Sequence, residues 1–536
     1  MQQKSLNLKS IRIGCLPIID SFMNKMRLQD FLSEALQNKD YAEAILIIAK
    51  NILINREALY GFKEWAAKYD LREFGDDRLG RALDRLFTID RATLQTKIVL
   101  GAAESFSLNL DQIHSDSTSI TLTGDYREQN SKAIKLKRGY SKDHRPDLKQ
   151  LIYNLCITHD GAVPIHFKCF DGNRTDDSFQ LEIWSGLRTL LQRPDFTYVA
   201  DSKFCVEKTM LKIDSEHGLF VTMVPKTRTE TVDFSQELDQ GNVRWQKILR
   251  KKSHRHSDEF DTFEVAIGEY RLREGFQLYW YRSNQKAKRD ASSRKNRIST
   301  AIDKIENLNL NRLRGPKTSS AIEKKIEKIL IRYQVQNWLS VEVKFDSCEK
   351  FKALSRGKPT KDTQYKKIDI KSPRLVIRKK VEEIAKSRLM DGIFPLATNK
   401  KDPAVEILKI YKYQPTLEKR HVLLKTTQNV APIWLKKNTR IEALMFVEYI
   451  AQMTAALMER ELRNSMKKNG IEIIASLPEN RSSKSPTFDQ LLRIFDDRLR
   501  HQLIERGHVI KKFSEPLSKI QIQILDLLKV SIENFT

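Results

Sequence analysis

Residues Asp391 to Lys425 read DGIFPLATNKKDPAVEILKIYKYQPTLEKRHVLLK. Inside this stretch Tyr411, Gln414, Glu418 and Lys425 follow at intervals of three, four and seven residues. At about 100° per residue they fall at about 0°, 300°, 340° and 320°, which places all four on one helical face. Pro415 disfavours the α conformation at Gln414 and suits the first turn of a helix. The stretch predicts a helix from about Pro415 with Tyr411 and Gln414 just before it, or one kinked helix through both. On either reading Glu418 and Lys425 share a face two turns apart. Alone, such a pair is ordinarily a solvated stripe on an amphipathic helix.

Two more acids stand upstream in strand-like surroundings. Phe196-Thr197-Tyr198-Val199-Ala200-Asp201 reads as a buried strand ending in an acid. In open α/β sheets the chemistry lies beyond the carboxyl ends of the strands. Gln112 to Ile120, QIHSDSTSI, alternates as a strand does and carries Asp116. A lone Asp there competes with the ladder, so it is either a functional carboxylate or a turn residue at the strand end. Between them, Leu151 to Thr158 and Ala162 to Phe167 read as strands around the hairpin signal Asp160-Gly161. Helices are expected at about Asp177 to Leu191 and from about Phe204, and a strand at Gly218 to Val224. The pattern supports a mixed sheet with helices, an α/β fold.

The bulk numbers narrow the partner. The 536 residues are enough for two to four domains. A net charge of +26 favours a polyanion, nucleic acid first and an acidic membrane surface second. No run of eighteen apolar residues and no signal-peptide core is present, so no membrane partner is expected. Ala443 to Met458 is the most apolar long segment, but Glu448 and Gln452 make it read as a buried helix. The five scattered cysteines form no CxxC pair, which fits a reducing cytoplasm and argues against a zinc site.

Residues 1–105 read as helical, with the arginines of Asp77 to Phe87 suited to phosphate or to a charged outer face. Residues 106–225 hold the first strands and helices. Within them Ser131 to Lys149 is a basic loop that includes Lys142 and Arg145 and that could order on DNA. Residues 226–390 are too long for a connection and carry their own structure. There, strands are expected at Phe260 to Ile267, Phe276 to Tyr281 and Trp338 to Lys344. Charged helices are expected at Ser292 to Asn309 and Thr318 to Tyr333, split by Arg314-Gly315-Pro316. Trp245, Trp280 and Trp338 are candidates for stacking on a base, although a Trp in a strand is more often core. Residues 391–468 return with Glu418 and a long apolar helix, and 469–536 end in two helices.

The Tyr411–Lys425 spacing resembles the Tyr-x2-Arg-x3-Glu-x6-Lys signature of bacterial insertion-sequence transposases of family four. Gly139 to Gln150, GYSKDHRPDLKQ, resembles a block of its insertion sequence sixteen-thirty-four subgroup. So do Gly124-Asp125-Tyr126 after the Asp116 strand and Gly172-Asn173-Arg174-Thr175-Asp176. Three of the four signature positions match. Gln414 stands where the family has Arg, and it brings one hydrogen bond without charge or fork. Lys412, Lys419 or Arg420 are nearby cations that could compensate.

The resemblance implies a ribonuclease-H-like catalytic domain, interrupted by a β-containing insertion and flanked by helical N-terminal and C-terminal regions. It implies that Asp116, Asp201 and Glu418 form a DDE site holding Mg²⁺ (or Mn²⁺), as two ions, and that Tyr411, Gln414 and Lys425 hold DNA phosphates. Lys142 and Arg145 would join them from the basic loop. It further implies cut-and-paste DNA transposition, with terminal inverted repeats and target DNA as partners. A homodimer in the synaptic complex and a cytoplasmic, nucleoid-associated location follow from that. Two other classes stay open: a ribonuclease-H-like nuclease that cuts without joining, and an inactive or regulatory DNA-binding copy.

Overall fold

The computed structural model describes residues 6–124, 126, 130–143, 145–175, 178–252, 259–308, 319–354, 357–358, 360–361, 363–426, 433, 435–505 and 507–535. Expectations placed on Asp125, Asp176, Asp177, Asn309, Arg314-Gly315-Pro316 and Thr318 lie outside them. The structure is mixed α/β. It divides into two compact units, Met1–Met223 with Thr398–Thr536, and Val224–Ala397.

The first unit opens with β1 (Leu6–Arg12), α1 (Leu16–Lys25), α2 (Leu28–Leu36), α3 (Lys39–Ile54), α4 (Phe62–Lys68), α5 (Asp76–Thr88) and α6 (Arg91–Phe106). It continues through β2 (Gln112–Leu122), β3 (Lys149–Thr158), β4 (Pro164–Asp171), α7 (Gln180–Leu191), β5 (Thr197–Ala200), α8 (Glu207–Ser215) and β6 (Leu219–Met223). The second unit contains α9 (Thr229–Asp239), β7 (Trp245–Lys252), β8 (Phe260–Ala266), β9 (Tyr270–Arg271) and β10 (Gln277–Ser283). It goes on with α10 (Asn284–Glu306), α11 (Ser319–Tyr333), β11 (Leu339–Ala353), β12 (Tyr365–Lys379), α12 (Val381–Leu389) and β13 (Ile393–Thr398). The chain then rejoins the first unit with α13 (Ala404–Tyr411), α14 (Gln414–Lys425), α15 (Asn438–Lys468), α16 (Phe488–Phe495), β14 (Leu499–Glu505), β15 (His508–Ser514) and α17 (Lys519–Leu528).

The sheet of the first unit has the order β4–β3–β2–β5–β6. β2, β3 and β4 are antiparallel neighbours, whereas β5 runs parallel to both β2 and β6. Gly161, at a φ of 123°, takes the left-handed turn between β3 and β4. Parallel strands need crossovers, and α7 and α8 supply them. Gly139 and Gly172 meet back to back. A Cβ on Gly139 would lie 2.2 Å from the Gly172 carbonyl, and one on Gly172 would lie 1.9 Å from the Gln150 carbonyl. The amide of Gln150 closes the junction by donating to the carbonyls of Tyr140 and Gly172.

Helix α15 is the spine of this unit. Its length and composition would suffice to cross a membrane, but 94% of its apolar window is buried inside the protein. Charged groups on a buried helix must be paired, and here they are: Glu448 with Arg56, Glu459 with Arg420 at 2.8 Å, and Arg460 with Asp160 at 2.7 Å. The amino-terminal helices α3 and α5 pack on α15, so residues 1–105 share a unit with the sheet.

Strands interrupt both terminal regions expected to be helical. β1, β14 and β15 form a three-stranded antiparallel sheet that joins the two ends of the chain, with Leu6 opposite Glu505 and Arg12 opposite Leu499. β1 finds its partner almost a whole chain away, so neither segment announces the pairing locally. In the second unit the strand order is β13–β10–β8–β7, with β9 on β10. β7 and β12 were not expected because WQKILRKK and much of YKKIDIKSPRLVIRK are exposed and basic. Trp280 is core, 1% exposed and stacked on Phe234 at 4.0 Å between centroids. That rules it out as a base platform in this structure. Arg282 covers Trp245, and Arg297 covers Trp338.

His166 on β4 makes the first unit sensitive to acid. Burial, and then the charge of Lys168, lowers its pKa from 6.5 to about 4. Between those values the unfolded chain binds a proton that the folded chain refuses, so stability falls as the pH drops through this window. The expected contribution is on the order of 3 kcal/mol. Urea unfolding at pH 7 and pH 4 should show a correspondingly smaller acid loss for His166→Gln than for the wild type. Equal losses would contradict the assignment.

Candidate active site

The register of the sheet sets two of the acids. On adjacent parallel strands, His114 of β2 lies beside Val199 of β5. Asp116 and Asp201 are each two residues further on, which brings them to the same level at the carboxyl end of β5. Asp201 caps the following turn, accepting from the Lys203 backbone N–H at 3.0 Å, while its carbonyl accepts from the Thr222 hydroxyl at 2.8 Å. Asp116 accepts from the Ser117 N–H at 2.8 Å.

Helix α14 brings the third acid. Glu418 is exposed on it, and its pKa is raised by partial burial and then by the charge of Asp116. Tyr411, the last residue of α13, is acted on by all three carboxylates. Burial, then Asp201, Glu418 and Asp116, raise the pKa of its hydroxyl, so the phenol stays protonated. The four residues are thus one electrostatic neighbourhood. The Tyr411–Lys425 stretch is two helices rather than one, with the break at Lys412-Tyr413.

Cations border the acids. The Lys142 ammonium is 3.8 Å from Asp116 and donates to the Ser117 carbonyl at 2.5 Å and hydroxyl at 2.9 Å. Its backbone N–H donates to Ser119 Oγ, and Ser141 Oγ accepts from the Asp143 and Arg145 N–H groups. The described part of this basic loop is therefore tied down before any ligand arrives. Lys425 pairs with Asp143 at 2.6 Å. Arg145 is exposed and pairs with Asp147 through two hydrogen bonds of 2.9 and 2.8 Å.

Gln414 departs from its expected role. It is 6% exposed, and its amide accepts from His114 Nδ1 at 2.7 Å and donates to the Ser115 carbonyl at 2.9 Å. Both ends are spent holding α14 to β2, so a phosphate contact is not available to it here. Helix α14 starts at Gln414, which turns that side chain inward. Arg420 is also inward, bonded to the Gly161 and Ala162 carbonyls and to Glu459, and cannot replace the missing phosphate clamp. Gln414→Arg should therefore cost about 2 kcal/mol or more in urea unfolding by burying an unpaired charge, with no gain in duplex affinity. Tighter binding at unchanged stability would contradict this.

Two histidines complete the site. His421, one turn after Glu418, is buried with Nε2 3.8 Å from Asp116. Burial, then Lys142 and Lys425, lower its pKa to about 3, so it is neutral. His114 is likewise lowered to about 4, chiefly by burial. The i, i+3 step from Glu418 was the available signal for His421.

Among the described residues, no three His, Cys, Asp or Glu side chains stand close enough together to hold a metal ion as they are. The donor set still suits Mg²⁺, which takes one or two carboxylates, waters and substrate phosphate rather than an all-protein cage. Burial raises Glu418 first and the charge of Asp116 second, and a cation would relieve that second part.

No family model matches the chain, and no curated protein matches its sequence. Among solved structures, the chain is similar to piggyBac transposase in a synaptic complex with hairpin DNA. The identity is 8% and the TM-score 0.26, over 86% of this chain and 85% of that one. A likeness at that score carries no argument about fold or activity.

Proposed function

We propose that the chain is a metal-dependent DDE transposase that cuts DNA ends and joins them to a target. The observation that carries this reading is the register that sets Asp116 and Asp201 level at the carboxyl end of β5, with Glu418 on α14 near enough for the charge of Asp116 to add to burial in raising its pKa. The strand order β4–β3–β2–β5–β6, antiparallel and then parallel, supports a ribonuclease-H-like catalytic domain. The net charge of +26 supports DNA as partner.

Asp116, Asp201 and Glu418 would hold Mg²⁺ together with a DNA phosphate. Mg²⁺ held there would supply Lewis-acid stabilisation to the attacking and leaving oxygens of an in-line displacement. The chain's own residues place the substrate. Tyr411 stays protonated and donates to phosphate oxygen. Lys142 and Lys425 supply positive charge on the side of Asp116 and Asp143. His421 stays neutral beside Asp116. Gln414 and Arg420 fix α14, and with it Glu418, against the sheet.

Lys425 exchanges Asp143 for phosphate in this scheme. Lys425→Ala should lower the slope of log affinity against log salt by about one. An unchanged slope would remove Lys425 from the interface. The reading as a whole is tested by strand joining. Purified protein, Mg²⁺ and a labelled duplex carrying the element's own end should yield label covalently joined to a supercoiled plasmid. Cutting without joining would leave a nuclease. Gln414 favours a second reading, a DNA-binding copy without activity, and binding without cuts would establish that one.

A further inference from the structure

Consecutive residues of the basic loop hold opposite sides of the acid site. Lys142 reaches to β2, where its ammonium lies 3.8 Å from Asp116 Oδ1 and donates to the carbonyl and hydroxyl of Ser117. Asp143, the next residue, turns to α14 and accepts from Lys425 at 2.6 Å. The side chains of Lys142, Asp116, Lys425 and Asp143 are between 22% and 32% exposed. Water screens such half-buried charges less than it would on an open surface. The charges of both lysines reach the His421 ring, which sets the two ammonium groups in one neighbourhood.

The backbone beneath these pairs is held independently of them. The Lys142 N–H donates to Ser119 Oγ at 2.9 Å, and Ser141 Oγ accepts from the N–H groups of Asp143 at 3.2 Å and Arg145 at 3.3 Å. The two side chains can therefore change partners while the loop stays in place.

Each pair engages a group that a ligand would need. A metal ion about 2.1 Å from Asp116 Oδ1 would stand within about 6 Å of the Lys142 ammonium, and the two positive charges would repel. A phosphate can recruit Lys425 only as Asp143 lets it go. Lys142 has a flexible four-carbon stem, and once off Asp116 it finds a carboxylate in its sequence neighbour. Asp143 then divides its charge between two lysines, and its hold on Lys425 weakens.

We propose that Lys142 and Asp143 form a latch that couples metal to DNA: Lys142 gives up Asp116 to a metal ion, draws Asp143 from Lys425, and so releases Lys425 to a DNA phosphate. This rests on the metal-dependent reading above and adds a regulation to it, in which each ligand opens the site for the other. Coupling of this kind is reciprocal, so metal tightens DNA by the factor by which DNA tightens metal.

The test uses the full chain and takes two readings. The first labels amines with an acetylating succinimidyl ester, without DNA, and reads each lysine by mass spectrometry. Mn²⁺ is the metal, and electron paramagnetic resonance counts the fraction bound. Bound Mn²⁺ should raise the labelling of Lys142 severalfold and leave Lys419, exposed on α14, unchanged. The second reading is the affinity of a duplex carrying the element's own end, by fluorescence anisotropy with Ca²⁺ and with chelator. The wild type should gain about tenfold from the metal, a size ordinary for coupled sites. Asp143→Asn, with an unchanged thermal melt, should bind more tightly than the wild type in chelator and gain less from Ca²⁺. Bound Mn²⁺ with unchanged Lys142 labelling overturns the latch and leaves the acids as a metal site. Equal gains from Ca²⁺ in the wild type and in Asp143→Asn also overturn it. Mn²⁺ that stays free would remove the metal reading and the latch together.

Discussion

Asp201→Ala is expected to abolish metal-dependent DNA cutting, by about a thousandfold or more, and to leave duplex binding within a few-fold. Asp201 stands at the end of β5, level with Asp116 on the neighbouring strand. On the proposed function, removing it takes away a hard oxygen donor for a metal that would contribute several kcal/mol of transition-state stabilisation, and each 1.4 kcal/mol is about tenfold in rate. The backbone is little disturbed, because the lost capping bond to Lys203 lies in an exposed turn. Rates of cutting and fluorescence anisotropy on the same duplex read both quantities. Undiminished cutting would remove Asp201 from the chemistry.

Arg420→Ala is expected to be the most destabilising change near the site. Arg420 and Glu459 have side chains only 6% and 3% exposed and meet at 2.8 Å. The guanidinium also satisfies the carbonyls of Ala162 and Gly161. Truncation takes the nearest cation from a buried carboxylate, which keeps Arg463 at 3.5 Å and the Phe488 N–H at 2.9 Å, and leaves two carbonyls without this donor, a loss of about 3 kcal/mol. Because Arg420 ties α14 to the β3–β4 turn and to α15, activity should fall with stability even though it touches no substrate. The urea midpoint reads this directly. The double variant Arg420→Met, Glu459→Leu should recover part of the stability, since it removes the buried carboxylate together with its nearest cation, while Arg463 and the Phe488 N–H lose Glu459. Equal loss in both variants would place the stability in packing rather than in the ion pair.

The strands of the first sheet were legible because β3 to β6 are apolar runs and β2 alternates, with recognisable signals at some of their ends. Asp160-Gly161 marked the β3–β4 turn, and an acid ended β5. Their pairing was not written locally, nor was that of β1 with β14, where Ser10 bonds His501 across nearly the whole chain. A local pattern cannot carry such a partner. Asp116 and Asp201 drew notice as acids in strand-like surroundings and Lys142 as part of a basic block, whereas Glu418 was singled out only by the resemblance. The inward turn of Gln414 was not legible. Helical spacing fixes which residues share a face but not which face meets the sheet, and the start of α14 at Gln414 decided that. His114 and His421 were hidden for the same reason, since their meaning lies in burial beside Asp116. β12 stayed unread because a basic ribbon that packs only at its near end lacks an apolar alternation.

On the proposed function, Asp116, Asp201 and Glu418 act as one metal-dependent site for cutting DNA. The most direct test takes a DNA fragment holding this gene with its own flanks and maps every cut to the base. It compares wild type with Glu418→Ala, each with Mg²⁺ and with chelator. Cuts are expected at a pair of inverted repeats in the wild type with Mg²⁺ alone. Cuts that persist in chelator or in Glu418→Ala, or a wild type that binds the fragment and never cuts it, would contradict it.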